Sequence, residues 1–336
     1  MLMHKRIQRT AYRIAEEIRA TMEIAKSTSW EKALATFFAK IDIQRMNRRG
    51  SEETHQIRTR LLKKHQVMLE YFEDMLSNFL EEYDYNRQIV EDDHELHNRI
   101  WVCWWQGWDN APTLVRACIA SIQKNAGDHV VTLITEENYE EYVNIPDWVK
   151  EKHSAGVISH TNFSDLLRLS LLAEHGGLWL DATFFVAKDG LADCFADPIW
   201  SIKRPDYGHA SVASGYFAGY SLRCTTENRW MFATMRDFFL YYWKENDFLV
   251  DYLLIDYMIV LAQKKDPRIG KAFENIKPNN PKCDELLKIL KDPYDEKIWN
   301  DYQRDTRLYK LSWKQNYPLK VDNKDTFYSK LVQGEL

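Results

Sequence analysis

"FSDLLRLSLLAEHGGLWLDATFF", residues 163–185, decides how the chain is built. Residues 162–177 read as a helix with Asn162 or Ser164 as its cap and Gly176 as its stop. Residues 178–187 read as an apolar strand that carries one carboxylate, Asp181. In an open parallel sheet ligands gather at the carboxyl ends of the strands, so an acid at that place meets whatever binds. A surface carboxylate at a turn is the alternative. Gly176 and Gly177 let the chain turn tightly and bring backbone close to a ligand, although a plain helix stop explains them equally. Asp165 and Arg168 are three residues apart and share one helix face. They could form a first-turn salt bridge, favoured by the helix dipole, or serve as a ribose acceptor and a bidentate phosphate donor. Thr183 stands where a second acid would complete a D-x-D metal clamp.

Outward from this block the texture is α/β. "IWVCWW" (100–105) and "HVVTLIT" (129–135) are short apolar runs that read as buried strands. Between them "APTLVRACIASIQKN" (111–125) reads as a helix with Pro112 in its first turn. Strand, helix and strand in that order predict a parallel sheet. "IPDWVKEKH" is expected to be helical, residues 198–222 offer two more strands, residues 227–301 are mostly helical, and residues 308–314 give a last short strand. "SVASGYFAGYS" (211–221) fits either an acceptor cleft or a tightly packed strand.

Residues 1–97 read differently, as a helical subdomain ahead of an α/β domain at 98–336. Ile7, Ala11, Ile14, Ile18, Met22 and Ala25 recur at the spacing of one helix face. A second helix follows Ser29. A third is expected from Ser51 on, with Leu61, Met68, Phe72, Met75, Phe79 and Tyr83 on one side and no Pro or Gly up to residue 97. The charge is split: residues 1–64 carry 15 Lys and Arg against seven acids, net +8, and residues 65–97 carry one against ten, net −9. Complementary packed helices would explain this, as would a basic half resting on an anionic membrane surface.

The 336 residues are 45% hydrophobic and 28% charged, with a net charge of −5, which predicts a soluble globular protein and argues against nucleic acid as a partner. The charged N-terminal stretch is not expected to be a secretory leader, and no apolar run approaches the ~18 residues of a membrane span. Five cysteines without a C-x-x-C pair predict reduced thiols, chiefly core filler, in a cytosol-like compartment. G-x-G-x-x-G, Walker A, H-E-x-x-H and G-x-S-x-G motifs are missing. "DDHELH" (92–97) sets His94 and His97 beside Asp92 and Asp93, a metal-like cluster expected instead to be a polar linker.

Taken together, S-D-x-x-R followed by G-G-x-W-x-D-x-T resembles the block of the DXD-containing sugar-transferase family, which includes yeast-type mannosyltransferases and the glucosylating clostridial toxins. It is most similar to the bacterial capsular polysaccharide synthesis proteins, in which D-A-T commonly stands for D-x-D. The resemblance runs from about Ile100 to Leu222, and more weakly to Lys314. It implies a GT-A-like nucleotide-binding sandwich and a retaining glycosyltransferase, cytoplasmic or peripheral at the inner membrane face. The donor would be a UDP- or GDP-linked sugar and the acceptor a glycan or lipid-linked glycan. Trp104, in "CWWQG", matches the residue that stacks on the base, with Trp105 a neighbouring alternative. Asp165, Arg168, Gly177 and Asp181 match the donor-binding block, and Ser312 and Trp313 match a segment that closes over the diphosphate. Asp181 and Thr183 would hold Mn²⁺ or Mg²⁺, and Asp181 and Arg168 would serve catalysis. Asp256 is a candidate acceptor-side base, or else a helix-surface acid. A sugar nucleotidyltransferase is the rival enzyme, but "QGWDNAPT" offers no Gly-rich basic loop. A catalytically decayed sugar- or nucleotide-binding protein is the rival from outside catalysis.

Overall fold

The computed structural model describes residues 2–49, 52–87 and 96–336. Three helices come first: α1 (Leu2–Ser27), α2 (Trp30–Arg49) and α3 (His55–Met75), followed by the short α4 (Ser77–Glu82). The expected single long helix is thus broken at Leu76, and its described cap is Thr54, whose hydroxyl accepts from Ile57 N. Ser51 and residues 92–95 of the His/Asp cluster lie outside the described residues. The remaining order is β1 (Ile100–Cys103), α5 (Thr113–Lys124), β2 (Val131–Ile134), α6 (Asp147–Ser154), α7 (His160–Glu174), β3 (Gly177–Asp181), β4 (Phe184–Val186), β5 (Ile199–Ser201), β6 (Ser221–Cys224), α8 (Arg229–Glu245), α9 (Leu254–Lys265), α10 (Pro267–Glu274), α11 (Glu285–Ile289), α12 (Glu296–Tyr302), β7 (Leu308–Lys310), β8 (Lys320–Val321), β9 (Lys324–Asp325) and α13 (Phe327–Gln333).

The central sheet has the order β2-β1-β3-β6-β5. β1 pairs in parallel with both β2 and β3, whereas β6 is antiparallel to β3 and β5. The sheet is therefore mixed, and the fold is α/β with an N-terminal helical segment. β1, and β3 up to its terminal Asp181, are apolar because both faces are covered, while β6 buries Ser221 and Arg223 as well. Trp101 and Trp179 enter one buried cluster, with α7, α8 and α9; Ile100, Val102, Leu178 and Leu180 enter another, with α5 and β4. Ala20, Ile24, Ala33, Val67, Met68 and Phe72 of α1–α3 belong to the first cluster. The apolar stripe on α1 is not what is buried there, since Ile14, Ile18 and Met22 are about half exposed.

The decisive stretch folds with three adjustments. α7 begins one turn early, because Ser159 caps it by accepting from Asn162 N, a bond typically worth about 1 kcal/mol. The expected strand 178–187 splits at Ala182–Thr183, so β3 stays in the central sheet and β4 leaves to pair with β7. Residues 211–220 form turns rather than a strand. Gly177, at φ +92°, fits where nothing larger could: a Cβ there would lie 2.3 Å from Arg99 O.

Candidate active site

β3 ends at Asp181, and the register sets Asp181 beside Cys103 at the end of β1. Two clefts meet at this edge. One, of about 730 Å³, runs past Trp104, Thr183, Lys310, Ser312 and Trp313. The other, of about 580 Å³, runs past Ser211, Gly219, Tyr220 and Asp256. Thr161, Asp165, Arg168, Asp181 and Tyr252 line both.

Arg168 is the hub of the junction. It is buried, its Nη1 donates to Gly219 O and lies 3.5 Å from Asp165 Oδ1, and its Nη2 donates to Asp181 Oδ1 at 3.2 Å. Its guanidinium carbon lies 5.0 Å from the Trp179 ring centre. Asp181 keeps 28% side-chain exposure. Trp179 Nε1 also donates to its Oδ1 (3.1 Å), and Lys310 Nζ donates to its Oδ2 (2.8 Å). Burial alone would push this carboxyl up; the Lys310 ammonium, the Arg168 guanidinium and the hydrogen bonds from Lys310 and Trp179 outweigh it and hold Asp181 below the usual aspartate value. Asp165 goes the other way. Burial, with Asp256 and Asp181 nearby, raises it to about 7 against the pull of Arg168.

Asp256 is not a surface acid. It sits in the first turn of α9, is only 7% exposed, and accepts from Ser211 Oγ at 2.6 Å. Burial raises its value, while the Ser211 hydrogen bond and Arg168 oppose the rise. Gly219 makes this approach feasible, because a Cβ there would lie 2.8 Å from Asp256 Oδ1 and 3.5 Å from Arg168 Nη1. Trp104 and Trp313 touch edge to face, ring centres 5.7 Å apart, in the lining of the larger cleft, and Trp104 Nε1 is buried without a protein partner among the described residues. Trp105 packs instead against Tyr139, His153 and Phe163. Ser312 follows β7 at the cleft mouth. Gly177 stays away, at the opposite end of β3 from Asp181; its role there is the close approach to Arg99.

The residues fit a divalent cation poorly. Lys310 Nζ donates to both Asp181 Oδ2 and Thr183 Oγ1 (2.8 and 2.7 Å), so an ion bridging those two oxygens would have to displace an ammonium. Among the described residues no cluster of three or more His, Cys, Asp or Glu could ligate a metal. Lys310 is the site residue that sequence reading missed. Its signal was a lone lysine inside the apolar strand "LYKL", in a chain with threonine at the second D-x-D position.

The capsular polysaccharide synthesis protein family model matches residues 49–331. The chain belongs to that family. The match reaches upstream of the α/β block, into the helical segment, and downstream to α13. Among curated proteins the chain is similar to the O-glycosyltransferase PaGT of Phomopsis amygdali, with 24% identity over 168 residues covering 44% of this chain. The chain spans only 39% of that relative's length. No solved structure matches. Among the described residues no helix is long and apolar enough to cross a membrane.

Proposed function

We propose that this family member is a glycosyltransferase that moves a sugar from a nucleotide-sugar donor, UDP- or GDP-linked, to a glycan or lipid-linked glycan acceptor during capsular or other surface polysaccharide synthesis. The observation that carries the reading is the junction of two clefts at one buried charged cluster, Asp165–Arg168–Asp181. A two-substrate transfer needs two binding spaces that meet at the reacting atoms. The donor occupies the larger cleft, with its base on the aromatic wall at Trp104 and its diphosphate toward Asp181 and Lys310. The acceptor occupies the smaller cleft, where Asp256 takes the proton of the attacking hydroxyl. Arg168 fixes the two carboxylates and supplies positive charge beside the departing diphosphate. The GT-A-like sandwich and retention of anomeric configuration come with the family resemblance. The similarity to an O-glycosyltransferase supports sugar transfer as the reaction class.

The competing reading is a binding protein that no longer turns its ligand over, and Thr183 is the feature that favours it. A thermal-shift screen of nucleotide sugars tests both. A donor at one hundred times its Kd adds roughly 2.7 kcal/mol of stability. Slow hydrolysis of the stabilising donor excludes the decayed site. Trp104→Ala should weaken binding of that donor by about 1–3 kcal/mol, and Trp104→Phe should restore most of it. Global unfolding of Trp104→Ala would make the indole a packing element and sink its assignment to the base.

A further inference from the structure

The place between Asp181 and Thr183, where a D-x-D clamp would seat a cation, is taken by the Lys310 ammonium. Lys310 lies opposite Phe184 in the β4–β7 ladder, its N–H donates to Cys283 O, and the next residue's N–H donates to Thr183 O. The ammonium lies 5.5 Å from the Phe184 ring centre and 5.4 Å from that of Tyr220. Two of its three N–H donors serve Asp181 and Thr183, which leaves one for a ligand oxygen in the larger cleft. The charge count gives Thr183 a reason. Lys310 Nζ meets a single carboxylate, Asp181, while Arg168 is shared between Asp181 and Asp165. A second carboxylate at 183 would sit against the same ammonium and repel the arriving diphosphate.

We propose that Lys310 does the work a divalent cation does in D-x-D enzymes, neutralising the departing diphosphate, so that transfer proceeds without metal; this rests on the glycosyltransferase reading. In the step, the bond between the anomeric carbon and the diphosphate oxygen breaks and its electron pair leaves with the nucleoside diphosphate. A bond forms from the anomeric carbon to the acceptor hydroxyl oxygen on the face the diphosphate leaves, as retention requires, and that hydroxyl's proton passes to Asp256. The charge that appears on the diphosphate lies beside an ammonium that is about four-fifths buried and held in place, so it acts more strongly than a mobile cation in bulk solvent.

The test compares binding of UDP, GDP, uridine and guanosine to the full chain by calorimetry, in EDTA and in Mn²⁺, with turnover measured on any nucleotide sugar that stabilises the protein. Nucleoside diphosphate binding and wild-type turnover should survive EDTA. Lys310→Ala should lower diphosphate affinity roughly tenfold or more while nucleoside affinity holds, and should lower kcat by roughly 10²–10³. Added propylammonium should restore part of the lost rate, which a purely structural lysine would not permit. If the alanine variant does not fold, Lys310→Met keeps the side-chain bulk and carries the same expectations for diphosphate affinity and kcat, without the rescue. Loss of diphosphate binding or turnover in EDTA with recovery in Mn²⁺ overturns the proposal while leaving the transferase reading intact. So does wild-type diphosphate affinity in the neutral variant. A wild-type chain that binds neither diphosphate and turns over no nucleotide sugar refutes the transferase reading, and this inference with it.

Discussion

At Asp165 burial wins over an adjacent guanidinium, and the carboxyl titrates near neutrality, at about 7. Between the ordinary aspartate value and about 7 the folded chain holds a proton that the unfolded chain has released. The contribution to stability is therefore fully present below the ordinary value and is lost as pH rises through about 7. Asp165→Asn removes that loss. Its thermal midpoint relative to wild type should climb between about pH 4 and about pH 7 and then level off, whereas a constant difference would mean that Asp165 does not titrate in that window. At this scale the sequence was informative about identity and weak about partners. Asp165, Arg168 and Asp181 are legible because they sit within one helix-turn-strand unit, where spacing dictates proximity. Lys310 meets Asp181 across 129 positions of chain, and only the pairing of β4 with β7 brings them together. Asp256 was visible as an acid in an apolar helix, but its burial depends on Gly219 and Ser211, which arrive from a different segment.

Elements show where local reading gives way to tertiary packing. The apolar run after Gly177 has no breaker at Ala182–Thr183, yet the chain changes sheets there, because β4 finds its partner in β7 rather than in the central sheet. On α1 the regular stripe Ile14–Ile18–Met22 faces outward, while Ala20 and Ile24 meet the core. Periodicity finds a face and cannot say what covers it. α3 is tied to the α/β body by a buried pair: Lys64 Nζ lies 2.7 Å from Asp251 Oδ2 and donates to Tyr257 Oη at 3.0 Å. Tyr257 Oη also lies 2.7 Å from His65 Nδ1, and His65 Nε2 reaches His209 O at 2.8 Å. The imidazole stays neutral, since burial and the Lys64 charge push it down to about 4. Lys64→Ala would strand a buried carboxylate and should destabilise the fold by about 3–5 kcal/mol in denaturant unfolding. The Lys64→Met, Asp251→Leu double variant should lose much less. Equal losses in the two would show that no uncompensated charge is involved.

For the whole molecule, the helical segment, sheet and two clefts form a chain of dependence. The helical segment packs on α8 and α9, α7 lies against the sheet, the sheet presents the ends of β1 and β3, and those ends bear the charged junction. The exposed Ile14, Ile18, Met22, Trp30, Leu34 and Phe38 lie on α1 and α2, within the basic first 64 residues. Contact with an anionic membrane would use that surface. The full chain should therefore co-sediment with vesicles containing anionic lipid at low salt, and less as salt rises. Indifference to lipid charge would remove the membrane from the account. The central claim is that the Asp165–Arg168–Asp181 junction transfers sugar. Its most direct measurement is the release of nucleoside diphosphate from a stabilising nucleotide sugar, at saturating donor, by wild type and by Asp181→Asn, with both shown to be folded by circular dichroism. The account predicts measurable turnover in wild type and a loss of roughly 10²–10³ in kcat for the variant. A folded Asp181→Asn protein with near-normal kcat would contradict it.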